Sequence, residues 1–108
     1  MYRRGAVWTA EFPDIGLKPA IIVSSSPVTL RLHPIVARVT SVDRERSLTT
    51  VVALDPGEVD GLPQASFVLG HDLYTLPTEG LATHMGWLQW ERMLEVDSAV
   101  LTALGIGL

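Results

Sequence analysis

The sequence predicts a mainly β domain that ends in one α-helix. Short β-branched or alternating apolar runs recur through the first 76 residues with turn residues between them, which is typical of a small barrel or a strongly bent antiparallel sheet. Helical spacing of apolar residues begins only near residue 88. The 108 residues, of which 47% are hydrophobic, suffice for one core but not for two ordinary domains. Residues 1–108 are therefore expected to form a single domain.

The predicted strands are short and are bounded by Pro, Gly, Asp or Ser, the residues that most often form turns. The first strand, for example, is followed by Pro13 and the turn Asp14-Ile15-Gly16. The run at residues 20–23 is continuously apolar, which indicates a strand that is buried on both faces. The predicted strands cover residues 5–12, 20–23, 35–40, 49–54, 66–69 and 72–76, the last two being one strand or two.

A single helix is predicted over residues 88–104. Its apolar stripe consists of Met93, Val96, Val100 and Leu104. These residues recur at helical spacing, whereas polar residues such as Glu91 and Glu95 occupy the other faces. Gly105 follows where a C-terminal capping glycine belongs. We expect the stripe to pack against the core and assign it no chemistry.

Composition excludes several kinds of site. The chain has no cysteine, so it cannot form a disulfide, a cysteine-based zinc site or a thiol nucleophile. The three histidines, His33, His71 and His84, do not have metal-ligand spacing. No Gly-rich phosphate loop and no Gly-x-Ser-x-Gly elbow occurs in the sequence. We therefore expect neither a metal nor another cofactor.

The sequence also lacks the signals of a membrane protein. No apolar run approaches the roughly 20 residues that span a bilayer. The basic N-terminus is followed by residues that interrupt the apolar region of a signal peptide early. We expect a cytoplasmic protein that does not associate with a membrane.

The charge is distributed unevenly along the chain. The net charge is -4, but residues 1–46 contain seven Lys or Arg against four Asp or Glu, whereas residues 47–108 contain one against eight. A basic half permits an anionic ligand on one face of the domain, and an acidic half permits a different partner on the other. The alternative is an ordinary solvated surface on which the charges are unevenly spread.

Six short motifs follow one another from residue 4 to residue 106. They are residues 4–8, 18–24, 37–41, 71–75, 85–88 and 104–106. The first five resemble Arg-Gly-Asp-x-Trp, Arg-Pro-x-x-Val-x-Ser, Ala-Pro-x-Thr-Ser, Asp-Gln-x-Arg-Thr and Ile-Gly-x-Leu, and the sixth ends the predicted helix. By these motifs the chain resembles the MazF/PemK family of toxin ribonucleases over nearly its whole length.

The resemblance implies both a fold and an activity. The fold is a small SH3-like barrel of the CcdB type, and the working unit is a homodimer. The activity is that of a toxin, an mRNA interferase that cleaves single-stranded RNA without a metal and leaves 2′,3′-cyclic phosphate and 5′-hydroxyl ends. The protein then has to orient the ribose, assist proton transfer and stabilise charge on the phosphorus oxygens. The implied inhibitor is a cognate antitoxin that covers the RNA groove.

Three residues are candidates for catalysis. Thr40 matches the family's threonine, and Lys18 stands where the family has its arginine. Lysine supplies a point charge but lacks the two-pronged contact with phosphate. Arg38 lies on the same face as Thr40 if residues 35–40 form a strand, and it could supply the missing guanidinium. The alternative for Arg38 is a surface arginine at a sheet edge.

Five further residues are candidates for substrate binding by the same resemblance. They are Ser24, Ser41, His71, Asp72 and Tyr74. The two serines follow predicted strands and are expected to support the site. His71 introduces a titratable ring, with a hydrogen-bonded structural histidine as the alternative. Tyr74 could stack on a base, as could Trp8, although we expect Trp8 to lie in the core.

A second class of function keeps this fold without the catalysis. A catalytically weak or inactive PemK/CcdB-like protein would act by binding a protein partner, and Lys18 in place of arginine favours that alternative. Related gyrase-poison toxins depend on their C-terminal helix, yet residues 101–108 contain no aromatic side chain for such a contact. Incubation with RNA in chelator separates the two alternatives, since only the enzyme yields fragments with cyclic phosphate ends.

Overall fold

The computed structural model describes residues 2–42 and 47–107, which form six strands and two α-helices. The strands are β1 Ala6–Phe12, β2 Gly16–Ile22, β3 Ile35–Thr40, β4 Val51–Leu54, β5 Ser66–Thr75 and β6 Leu81–Trp87. The helices are α1 Ser26–Arg31 and α2 Trp90–Leu104, and a 3-10 turn spans Thr78–Gly80. The predicted mainly β architecture with a C-terminal helix is confirmed.

The six strands form one antiparallel sheet in the order β4-β5-β3-β2-β1-β6. Strands β4 and β6 are its two edges, so the sheet is not closed. Strands β1 and β5 are three positions apart, which is about 14 Å at normal strand spacing in a flat sheet. The rings of Phe12 on β1 and Tyr74 on β5 nevertheless have centroids only 4.7 Å apart. The sheet is therefore strongly bent, and one of its faces is concave.

Alternate residues of the central strands join two different apolar clusters. The helix face is the side that carries Val7, Ile21 and Ala37, which pack with buried residues of α2. The concave face is the side that carries Trp8, Ala20 and Val36, which pack with Phe12. Because strand side chains alternate, the position of a residue in β1, β2 or β3 decides which face it joins.

Helix α2 packs on the sheet through a face that differs in part from the predicted one. Met93 and Val96 are buried as predicted, but Leu104 is 56% exposed and Val100 is only half-buried. Ala99 is buried instead. A Cβ atom at Gly70 of β5 would lie 2.9 Å from the Cβ of Ala99, so this close contact requires glycine. Because of this contact, α2 lies close to the sheet at Ala99. The last turn of the helix extends past the contact, which leaves Leu104 exposed.

The end of α2 follows the sequence prediction closely. The helix starts at Trp90, two residues after the predicted position, and is capped by Gly105 in the left-handed conformation with φ 73°. The N–H of Ile106 donates a hydrogen bond to the carbonyl oxygen of Leu101 at 2.9 Å. This arrangement satisfies carbonyl groups that the helix leaves free, and it confirms the predicted capping glycine.

Two elements were not predicted from the sequence. Strand β6 has one buried residue, Leu81, and no β-branched run, so it depends on its pairing with β1. Helix α1 has a proline, Pro27, in its first turn, which is a start signal for helices as well as a turn signal. By contrast, β3 occupies the predicted residues 35–40, and the last two predicted strands form the single strand β5.

Candidate functional site

Arg38 lies on the concave face in contact with an acidic residue of the neighbouring strand. Its neighbours Ala37 and Val39 belong to the helix-face cluster, so Arg38 faces the other way. The Nε of Arg38 donates a hydrogen bond to the Oδ2 of Asp72 on β5 at 2.6 Å. The two side chains are only 23% and 26% exposed. A charged hydrogen bond in this partly buried position fixes the guanidinium better than a solvated surface pair would.

Tyr74 completes a group that we call the Arg38–Asp72–Tyr74 cluster. Its ring packs edge-on against Phe12. Burial raises the pKa of the Tyr74 hydroxyl above its usual 10.0; the charge of Asp72 and a hydrogen bond to Asp72 raise it further, while the charge of Arg38 partly offsets them. The hydroxyl is therefore protonated at neutral pH and donates to the Asp72 carboxylate.

The turn between β1 and β2 lies beside this cluster. Asp14 has φ 67° there, a left-handed conformation that Asp tolerates in turns. The charge of Asp14 is a further, smaller cause that raises the pKa of Tyr74, and Phe12 contacts the Tyr74 ring. The turn itself is evident in the sequence, but its contact with Tyr74 is not, because that contact depends on the bend of the sheet.

Lys18 and Thr40 lie toward the same end of strands β2 and β3. The paired register of these strands ends at Ala20 and Arg38, and Lys18 and Thr40 each lie two residues further on. Lys18 is exposed and makes no ion pair with any described residue. Thr40 is half-buried, and its Oγ1 accepts a hydrogen bond from the N–H of Val42 at 3.1 Å. The Thr40 hydroxyl thus keeps its own proton for donation to a ligand.

Ser24 lies at the other end of β2 from Lys18 and has a structural environment. The side chain is buried, and its Oγ lies 2.6 Å from the Oγ1 of Thr29. It also accepts a hydrogen bond from the N–H of Ile35 at 3.0 Å. These contacts tie helix α1 to the beginning of β3.

The remaining candidates differ in exposure. His71 is exposed, and its Nδ1 lies 2.8 Å from the Oγ1 of Thr50, the kind of contact that a structural histidine makes. Ser41 is exposed and directly follows Thr40 at the end of β3. Trp8 is 5% exposed within the concave-face cluster, so its predicted place in the core is confirmed.

Ion pairs join the basic and acidic halves of the sequence. Arg4 contacts Asp97 of α2 at 2.6 Å, and Arg38 contacts Asp72 at the same distance. Each pair links a base from the first 46 residues to an acid from the remainder. The two halves therefore do not form wholly separate surfaces of opposite charge, and Lys18 contributes an unpaired cation next to the cluster among the described residues.

Within residues 2–42 and 47–107, no three His, Asp or Glu side chains are grouped so that they could hold a metal ion. Neither of the two described α-helices has the length and apolar character needed to cross a membrane. The described part of the site offers an ammonium, a guanidinium, a hydroxyl, a phenol and a carboxylate. Cations and donors of this kind suit a phosphodiester better than they suit an apolar ligand.

Known structures resemble this chain over almost its whole length. An endoribonuclease from a mycobacterial species, solved in complex with its cognate antitoxin, is 26% identical with a TM-score of 0.83; the match covers 98% of this chain and 97% of that chain. The Mycobacterium tuberculosis toxin MazF-mt6 is 25% identical with a TM-score of 0.81, covering 95% and 99%. A chain of the MazE-MazF structure from Deinococcus radiodurans is 20% identical, covers 97% and 96%, and shares the fold with a TM-score of 0.77.

The sequence itself also matches a family. No curated protein matches the chain. The family model described as "PemK-like, MazF-like toxin of type II toxin-antitoxin system" matches residues 3–104. The chain therefore belongs to the PemK-like, MazF-like toxin family of type II toxin-antitoxin systems.

Proposed function

We propose that this toxin is a metal-independent endoribonuclease that cleaves single-stranded RNA and leaves 2′,3′-cyclic phosphate and 5′-hydroxyl ends. The observation that carries the proposal is the presence of Lys18, Arg38 and Thr40 at one end of the paired strands β2 and β3. Two cations and a hydroxyl at such a place suit one backbone phosphodiester. The similar mycobacterial protein is an endoribonuclease, which supports the same class of activity here.

The proposed reaction uses the RNA as its own nucleophile. The 2′-hydroxyl oxygen bonds to the adjacent phosphorus and releases its proton to water, the bond from phosphorus to the 5′ oxygen breaks, and the 5′ oxygen takes up a proton from water. Lys18 and Arg38 stabilise the charge that grows on the phosphorus oxygens. The Thr40 hydroxyl, which already accepts from the N–H of Val42, donates to one of these oxygens.

We assign the remaining candidates by their environment. Ser41, exposed next to Thr40, is proposed to contact the ribose or phosphate. Tyr74, which packs on Phe12, is proposed to flank a base beside the β1–β2 turn. Ser24 and His71 are already hydrogen-bonded to Thr29 and Thr50, so their proposed contribution to RNA binding is support of the surrounding strands.

The proposed partners are a second copy of the chain and a cognate antitoxin in the cytoplasm. Helix α2 carries a line of exposed apolar residues whose burial in a homodimer would remove them from water. They are Trp90, Leu94, Leu101 and Leu104. The structure of a similar endoribonuclease contains its antitoxin, and an acidic antitoxin segment would suit Lys18 and Arg38.

The proposal is tested with purified protein, RNA of mixed sequence and excess chelator. We expect fragments with cyclic phosphate ends at a short recurring sequence, and we expect Thr40→Ala to abolish them. Thr102→Ala, a substitution on the opposite side of the sheet in α2, is the matched control and should cleave normally. Intact RNA, or cleavage only after a divalent metal is restored, would contradict the proposal.

A second candidate is a toxin that binds a protein and does not cleave RNA. The observation that favours it is the neutralisation of Arg38 by Asp72, so that, as far as the described residues go, Lys18 is the one of these two cations without an ion pair. The same experiment separates the two candidates. RNA that stays intact with a folded wild-type protein supports the binding protein.

A further inference from the structure

The Arg38–Asp72–Tyr74 cluster contains a carboxylate where the proposed substrate is an anion. A carboxylate repels a phosphodiester at close range, so direct binding of phosphate by Asp72 is unfavourable. The contact that Asp72 does make is with the cation proposed to bind that phosphate, at 2.6 Å. The contact through which Asp72 can influence the binding of that phosphate is therefore the one with Arg38.

The hydrogen bond between Arg38 and Asp72 uses only the Nε of the Arg38 guanidinium. A guanidinium has five N–H donors in a planar fork. Asp72 occupies Nε, while Nη1 and Nη2 donate to no described residue. These two nitrogens form the edge that can grip two oxygens of one phosphate group. Fixing Nε also fixes the plane of this edge.

Tyr74 holds the carboxylate in turn. Its hydroxyl donates to Asp72, and its ring is braced by Phe12 from β1. Asp72 therefore accepts from the Nε of Arg38 at 2.6 Å and has a second donor nearby in Tyr74, whose ring packs against the β1–β2 hairpin. Arg38 and Asp72 are both departures from the family motifs described above, and they contact each other.

We infer that Asp72, held by Tyr74, is a positioning residue: it anchors the guanidinium of Arg38 by Nε and presents the Nη1 and Nη2 edge to the RNA phosphate. This inference rests on the proposed function. The anchor weakens the net attraction for phosphate because it cancels part of the Arg38 charge. It favours catalysis because the cation need not be oriented when the transition state forms. Asp72 thus lowers the affinity for RNA while it keeps the Arg38 guanidinium oriented for catalysis.

The test is Asp72→Asn, which keeps the side-chain size and removes the charge. We expect kcat on RNA of mixed sequence to fall about 10- to 100-fold, the usual consequence of a small misplacement of a reacting group. Binding of uncleavable 2′-O-methyl RNA should not weaken. Its logarithmic salt dependence should steepen by up to about 0.7, the value for one fully neutralised phosphate on a single strand, because Asp72 no longer cancels part of the Arg38 charge.

Two further variants sharpen the test. Tyr74→Phe keeps the ring against Phe12 and removes only the hydrogen bond, so kcat should fall in the same direction by a smaller factor. Glu58→Gln is the matched control, because Glu58 accepts from the Nε of Arg92 at 2.7 Å in a cluster next to α2. It should leave both kcat and the salt dependence unchanged.

An unchanged kcat in Asp72→Asn would overturn the inference. So would a lower kcat with an unchanged salt dependence, because Asp72 would then not act through the charge of Arg38. Failure of the wild-type protein to cleave RNA would refute the proposed function instead. The salt dependence needs no cleavage, so it tests the coupling of Asp72 to Arg38 in either case.

Discussion

Arg38 and Arg92 lie in two different regions of the domain, and each donates a hydrogen bond from its Nε to a carboxylate. The Nε of Arg38 is 2.6 Å from Asp72 on the concave face, and the Nε of Arg92 is 2.7 Å from Glu58 beside helix α2. The two arginines also have similar side-chain exposure, 23% and 27%. The two arginines differ in whether their Nη1 and Nη2 atoms have hydrogen-bond partners among the described residues. We infer different functions for the two regions from this difference.

All three nitrogens of Arg92 have partners within the domain. Nη1 donates to Glu95 at 2.6 Å, and Nη2 donates to the carbonyl oxygen of Ala53 on β4. Burial lowers the pKa of Arg92, but hydrogen bonds to Glu58 and Glu95 outweigh this effect and the pKa is raised. Arg92 therefore fastens α2 to the sheet. An arginine whose nitrogens all have partners stabilises the fold. An arginine such as Arg38, whose Nη1 and Nη2 have no partner within residues 2–42 and 47–107, can bind an anion.

The largest expected effect is the loss of cleavage in Arg38→Ala. Removing one donor to developing charge typically lowers kcat by about 100-fold or more, and we expect Arg38→Ala to be as severe as Thr40→Ala. Arg92→Ala should retain nearly normal kcat at a temperature where it is folded. Single-turnover cleavage of mixed RNA measures this. An equal loss of kcat in Arg38→Ala and Arg92→Ala would contradict the assignment of different functions to the two regions.

The reverse order is expected for stability. Arg92→Ala leaves Glu58, Glu95 and the Ala53 carbonyl without their charged donor, and we expect the free energy of unfolding to fall by about 1–3 kcal/mol. Arg38→Ala removes one hydrogen bond and should cost about 1 kcal/mol or less. Urea denaturation followed by circular dichroism measures both values. A larger loss in Arg38→Ala would identify the concave-face cluster as the structural one.

The smallest expected effect is a pH dependence at Tyr74. Because its pKa is raised in the folded state, the protonated hydroxyl contributes stability that is fully present below the unfolded pKa of about 10 and is lost as the pH rises through the folded pKa. Between about pH 9 and pH 12, the wild-type Tm should therefore fall more steeply than that of Tyr74→Phe. Parallel curves of Tm against pH for the two proteins would show that burial and Asp72 do not raise the pKa of Tyr74.

Much of the fold could be predicted from sequence because its signals are local. Four of the six residues at 35–40 are β-branched, which favours a strand, and Gly105 marks the end of α2 through a left-handed conformation that other residues avoid. Strand β6 gave no such signal, since it depends on pairing with β1. The inner face of α2 was predicted only in part, because the close contact between Ala99 and Gly70 belongs to two distant segments.

The candidate site also contains features that local sequence predicts and contacts that only the tertiary structure shows. Alternation along β3 suffices to place Arg38 and Thr40 on one face, and the antiparallel register brings Lys18 toward the same end. No periodicity could indicate that Asp72 occupies one edge of the Arg38 guanidinium, or that Tyr74 meets Phe12. Those contacts join strands that are not consecutive in the chain.

The sequence alone determined the mainly β class, the C-terminal helix with its cap, and the membership implied by an ordered set of motifs, because each of these is encoded by neighbouring residues. The tertiary structure decided which charges meet. It paired Arg38 with Asp72 and Arg92 with Glu58. Among the described residues, Nη1 and Nη2 of Arg38 have no partner, whereas all three nitrogens of Arg92 do. The physical reason is that hydrogen bonds between side chains require distances of a few ångströms, which the pairing of β3 with β5 and the packing of α2 on the sheet create and the chain order does not specify.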